Sequence, residues 1–211
     1  MKIIRILFLL SISLSSFGQI PFRLPSIISS HAVLQQSSEV KLWGWGPGSL
    51  DVAVVCSWQS TDTIIARIGG DCSWTATIKT PVAGGPHTIT FICNKMETVL
   101  EDILIGEVWL FSGQSNMEYE VKSGISDARD VFRDCKNNKI RFFEVERDFD
   151  KYPKSDCKGE WKVCDSTSMS SFSAVGYFFG KKVQETIGSP VGLIGSYWGG
   201  TNIGSWCSEE V

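Results

Sequence analysis

Three residues in this sequence have the type and placement for acyl transfer: Ser115, Gly199 and Gly200. Ser115 closes the run Val108-Trp-Leu-Phe-Ser-Gly-Gln-Ser115. Apolar residues at both odd and even positions suit a strand covered on both faces, Gly113 permits a sharp turn, and the residues after Ser115 can open a helix. A serine at such a junction exposes its hydroxyl beside backbone N–H groups that lack helical partners and can hold an oxyanion. The same pattern also suits a serine that merely caps a helix. In Trp198-Gly-Gly-Thr201 two successive residues lack a Cβ, so the backbone can approach a ligand closely. That segment also reads as a strand-to-helix turn packed on the helix of Ser115. Ester hydrolysis at Ser115 would run in two steps, with attack on the carbonyl, departure of the alcohol, and release of the acid by water. A serine of ordinary pKa needs a histidine within reach, itself oriented by a carboxylate. The sequence holds two histidines, His31 and His87, both in its strand-rich first half, and both read as structural or surface residues.

The segments Gly106-Glu-Val-Trp-Leu110 and Gly113-Gln-Ser-Asn-Met117 resemble the first block of the SGNH-hydrolase superfamily, in the version carried by sialate O-acetylesterases. Phe172–Gly180, Val191–Trp206 and the early stretches His31–Gln35 and Val40–Gly46 are similar to further segments of that family, in the same order. The resemblance implies a serine carboxylic-ester hydrolase that removes acetyl groups from O-acetylated sialic acids. It makes Ser115 the nucleophile, and Ser115, Gly199 and Gly200 the oxyanion hole, with Gly199 ahead of Gly200. No cofactor is expected, and the lack of a C-x-x-C pair together with only two histidines argues against a metal site. In the family a Gln-Gly-Glu-Ser-Asn block and an Asp-x-x-His pair follow the Trp-Gly-Gly-Thr segment, and this sequence reaches Val211 without either. A truncated chain, turning over acetyl esters no faster than a Ser115→Ala control, is therefore expected. The alternatives are an acetylesterase of other glycans, such as acetylxylan, and a non-catalytic glycan-binding remnant.

The elements that must carry these residues change character along the chain. From residue 21 to about 104, short alternating stretches (39–45, 51–58, 63–68, 73–78 and 87–93) are broken by Gly46-Pro-Gly48, Gly69-Gly70 and Ala83-Gly-Gly-Pro86. From 105 onward strands alternate with helices. Lys139–Val145 and Val191–Tyr197 read as strands, and Ile125, Ala128, Val131, Phe132 and Cys135 as one helix face opposite Asp127, Arg129, Asp130 and Arg133. A second helix, capped by Ser170 or Ser171, presents Phe172, Val175, Phe178, Phe179 and Val183, and residues 146–171 read as a long loop. The expected fold class is α/β. A signal peptide (1–18) precedes an antiparallel β-sandwich (19–104) and the first part of an SGNH-type, flavodoxin-like α/β hydrolase domain (105–211).

The chain has 211 residues, 43% of them apolar and 20% charged, which is an ordinary globular composition. Its formal charge of −3, without a basic patch, disfavours nucleic acid as a partner and leaves a small-molecule or glycan substrate. Lys2 and Arg5 followed by the apolar run Ile6–Leu14 and Ser16-Phe-Gly18 form a secretory-signal pattern, too short for stable membrane insertion, so a secreted or lysosomal protein is expected. Seven cysteines suit that compartment. Cys157 with Cys164, or one pair among Cys56, Cys72 and Cys93, could be bonded, or all could be buried thiols. Trp161, Tyr197 and Trp206 could serve as platforms for a sugar ring, although core packing is expected for at least two of them.

Overall fold

The organising element is an 18-residue strand, β7 (Met96–Gly113), through which the sheet changes from antiparallel to parallel. The computed structural model describes residues 20–59, 61–123 and 128–207, with backbone only for Ala128 and Arg129. Residues 1–18, the expected signal, lie outside the described residues, as do Ile125 and Asp127 of the expected first helix. The strands before β7 are β1 (Val33–Gln35), β2 (Glu39–Trp45), β3 (Asp51–Cys56), β4 (Thr63–Arg67), β5 (Ser73–Lys79) and β6 (Gly84–Cys93). After it come β8 (Asn137–Glu144), β9 (Trp161–Cys164) and β10 (Val191–Tyr197). The main sheet runs β4-β3-β6-β7-β10-β8-β9, with β1 beside the middle of β7, while β2 and β5 form a separate antiparallel ribbon.

Period-two alternation explains the first half. β3 buries Val52, Val54 and Cys56, and β5 buries Trp74, Ala76 and Ile78, so the ribbon and the antiparallel half of the sheet enclose a common apolar core. β7 crosses residues 104 and 105 without a break. Its first part pairs antiparallel with β6 and its last part parallel with β10. Beyond Gly106, where the pairing with β1 ends, β10 is its partner among the described residues. The expectation of a strand covered on both faces over Val108–Phe111 is corrected accordingly: Phe111 is buried, but Leu110 is 66% exposed.

The described residues also form four α-helices, α1 (Ser115–Glu118), α2 (Ala128–Arg133), α3 (Ser166–Ser170) and α4 (Ala174–Ile187), and three short 3-10 turns. The cap of α4 is Ser173, whose hydroxyl accepts from the Gly176 N–H. Its buried face is Ala174, Gly176, Tyr177 and Gly180, while the expected Val175, Phe178 and Phe179 are 52%, 39% and 38% exposed. Close approach to the sheet is the reason, since a Cβ on Gly180 would lie 2.4 Å from Leu193 Cδ1. The expected loop 146–171 contains β9, antiparallel to β8, and α3, held by the reciprocal capping of Asp165 and Ser168.

All seven cysteines are free. Cys56 lies opposite Ile89 in the ladder, four residues from Cys93, which at ~3.3 Å per residue is beyond disulfide reach. Cys157 packs against this first core, whereas Cys164 lies in a second apolar core formed by Phe111, Phe142, Phe172, Tyr177 and Leu193, so these two do not meet either. No helix among the described residues is long and apolar enough to cross a membrane.

Candidate active site

Ser115 is carried to the sheet's carboxyl edge by β7 and released there by Gly113, whose φ of +143° is accessible mainly to glycine. Gln114 then turns the chain into α1, its carbonyl accepting from the Met117 and Glu118 N–H groups at 2.8 and 2.9 Å. Ser115 is exposed at the first position of that short helix. β10 ends level with β7: Tyr197 is opposite Gly113, and the Trp198 N–H extends the ladder to the Gly113 carbonyl at 3.0 Å. The diglycine bend is thereby set beside the serine. A Cβ built on Gly199 would lie 3.6 Å from both Cα and Cβ of Ser115. Gly200, with φ +81°, would direct a Cβ into open space. The carboxyl ends of parallel strands are where open α/β sheets bind ligands.

A carboxylate that motif reading overlooked occupies this junction. Glu118 Oε2 accepts the Gly199 N–H at 2.6 Å, and its Oε1 is contacted by the Arg147 guanidinium. A side chain at position 199 would clash, since its Cβ would stand 2.5 Å from Glu118 Oε2. The Gly199 amide, the first choice as oxyanion donor, is thus engaged by an internal anion, whereas Gly200 meets no such neighbour. Spacing could have revealed Glu118: it follows Ser115 by three residues, and i,i+3 positions share a helix face. Arg147 had no such signal, because it stands just past the end of β8.

The cavity that opens on Ser115, of about 330 Å³, is also lined by Glu118, Tyr119, Glu120, Glu144 and Arg147. Behind it, the Tyr197 hydroxyl donates to Glu144 Oε1 at 3.1 Å and accepts from the Ser173 N–H at 3.2 Å, tying β10 and β8 to the start of α4. Burial raises the Glu144 carboxyl above its ordinary range, and the Tyr197 hydrogen bond offsets only part of that. The Tyr197 phenol is likewise pushed up, by burial first and by Glu144 second.

Neither histidine lines this cavity. His31 Nδ1 meets Asp102 Oδ2 at 2.8 Å, and that carboxylate also takes the buried Arg141 at 2.8 Å. Asp102 precedes Gly113 by eleven residues of β7, roughly 35 Å at strand spacing. His87 lies edge-on to Trp58, 5.2 Å between ring centroids, and burial lowers its pKa. Of the aromatic residues considered as sugar platforms, Trp161 is buried with its indole N–H on the Ile27 carbonyl, and Tyr197 is buried as well. Trp206 is 40% exposed.

The chain is 28% identical to the mouse sialate O-acetylesterase, across 97% of its own length and 41% of that protein. It is 29% identical to the human one, across 90% of the chain and 39% of the relative. Among solved structures, a carbohydrate acetylesterase from Xanthomonas citri superposes with a TM-score of 0.84 at 29% identity, covering 90% of this chain and 43% of the other. The chain is sialate O-acetylesterase-like. The chain spans about two fifths of the length of the curated relatives it matches. No protein-family model matches it.

Proposed function

We propose that this chain carries the nucleophile and the adjoining backbone bend of a carbohydrate O-acetylesterase. The observation that carries the reading is the exposed Ser115 set at the carboxyl end of β7 against the Gly199–Gly200 bend of β10. Its oxygen attacks the acetyl carbonyl, the sugar hydroxyl leaves with a proton, and water then releases acetate from the serine. The developing oxyanion is received by the free N–H groups at the start of α1 and by Gly200. Gly199 joins them if Glu118 swings toward Arg147. The sugar given by the curated relatives' names is an O-acetylated sialic acid. A second reading, an uncharged acetylated glycan such as acetylxylan, is favoured by the carboxylates that crowd the approach to Ser115. A secreted or lysosomal location follows from the pattern of residues 1–18.

Because neither histidine stands at Ser115, the 211 residues alone are expected to release acetate no faster than Ser115→Ala. Added imidazole supplies the missing proton acceptor. Acetate release from O-acetylated sugars should then rise in the unaltered chain above the imidazole background recorded with Ser115→Ala. Ser115-dependent turnover without imidazole would refute the expected inactivity. Identical rates for the two proteins under both conditions would remove Ser115 from the mechanism.

A further inference from the structure

Beside the nucleophile's cavity lies a second cleft of about 480 Å³, between the segment that follows β8 and the turn that follows β10. Arg147 lines both, so the two cavities share a wall. One wall is aromatic. Trp206 is held by its indole N–H on the Thr201 hydroxyl at 2.8 Å, and that hydroxyl donates to the Trp198 carbonyl at 2.7 Å. This chain of bonds ties the indole to the residue that precedes Gly199. Across the cleft Phe149 is 86% exposed. Large rigid rings with open faces, one of them pre-set by hydrogen bonds, suit the apolar face of a pyranose or furanose.

The other lining is acidic. Glu146, Asp148 and Asp150 flank the cleft. Lys154 sits on Asp148 at 2.7 Å and Asp150 at 3.2 Å, so these three carboxylates and the one lysine together carry two net negative charges. Arg147 is committed to Glu118, and Glu146 is not partnered by a cation in any described ion pair. Carboxylates accept hydrogen bonds from sugar hydroxyls, whereas a ligand carboxylate entering here meets like charge and finds its cationic candidate taken.

We infer that this cleft is the sugar subsite of the proposed esterase, and that it takes an uncharged O-acetylated glycan in preference to a sialic acid. The inference rests on the acetylesterase reading for its place next to Ser115, but it concerns binding and is tested without turnover. The full chain carrying Ser115→Ala is titrated calorimetrically with an O-acetylated xylo-oligosaccharide and, separately, with an O-acetylated sialic acid. The xylo-oligosaccharide should bind at least fivefold more tightly. The gap should narrow in 0.5 M salt and in the Asp148→Asn/Asp150→Asn variant. Affinity should fall about tenfold in Trp206→Ala and in Phe149→Ala, and largely return in Trp206→Phe. The exposure of Phe149 keeps that variant informative even if Trp206→Ala unfolds. Equal or tighter binding of the sialic acid, or affinity indifferent to both aromatic residues, overturns the inference. Xylo-oligosaccharide binding with no Ser115-dependent hydrolysis under imidazole would leave the subsite standing and remove the esterase. Ser115-dependent hydrolysis without xylo-oligosaccharide binding would do the reverse.

Discussion

Three carboxylates line the cavity at Ser115, and the surroundings of two of them, Glu118 and Glu144, set those two apart. Glu118 is matched by the Gly199 N–H and by Arg147, whereas Glu144 has a neutral phenol as its partner and is raised by burial. A carboxyl whose pKa is higher folded than unfolded contributes stability that is complete below its ordinary value of 4.5 and lost as pH climbs through the folded value. Ionised Glu144 is thus a cost at neutral pH. Glu144→Gln keeps an acceptor for the Tyr197 hydroxyl but has no charge to desolvate. It should melt higher than the unaltered protein at pH 7 to 8, and the advantage should vanish below about pH 4. Thermal unfolding of both proteins from pH 3.5 to 8 checks the sign. An advantage confined to acid would reverse the assignment.

At the level of elements, the close contact between α4 and β10 positions the wall behind Ser115. Gly180 meets Leu193 with no room for a methyl group. Gly180→Ala should therefore destabilise the fold by about 1–3 kcal/mol through overpacking, against the ~1 kcal/mol that alanine's helix propensity alone would add. Val175→Ala, on the exposed side of the same helix, should change stability by less than about 0.5 kcal/mol. Urea denaturation of the two variants measures the contrast. The same helix shows where sequence reading fails: counting large apolar residues selects Val175, Phe178 and Phe179, but tight packing on a sheet selects small residues instead. β2, β5 and β10 were legible because alternation or a continuous apolar run marks them directly. β9 was not, since its four residues Trp161–Cys164 become a strand only through their register with β8. Ser115 and the diglycine bend were visible as motifs. The Arg147–Glu118 contact was not, because it joins a helix to a loop that the sequence alone does not bring together.

For the whole molecule the decisive feature is that one strand serves both cores. Residues 96–105 of β7 pair with β6, residues 107–113 pair with β10, and the second part delivers Ser115. The sequence hid this because the pattern changes near residue 104 from alternation to a continuous apolar run, which reads as the end of one unit and the start of another. A shared strand couples what the pattern separates: loosening β7 in the antiparallel half shifts its far end relative to the bend of β10. Ile105, fully buried where the antiparallel pairing stops, tests this. Ile105→Ala removes buried volume and should cost about 2–5 kcal/mol. If the strand is one mechanical element, hydrogen exchange will accelerate together in the amides of β3 and β6 and in those of β8 and β10. Denaturation followed by tryptophan fluorescence and by far-ultraviolet circular dichroism will then share one midpoint. Acceleration limited to β3 and β6, with β10 still protected, would show that the half bearing Ser115 holds its geometry without the other.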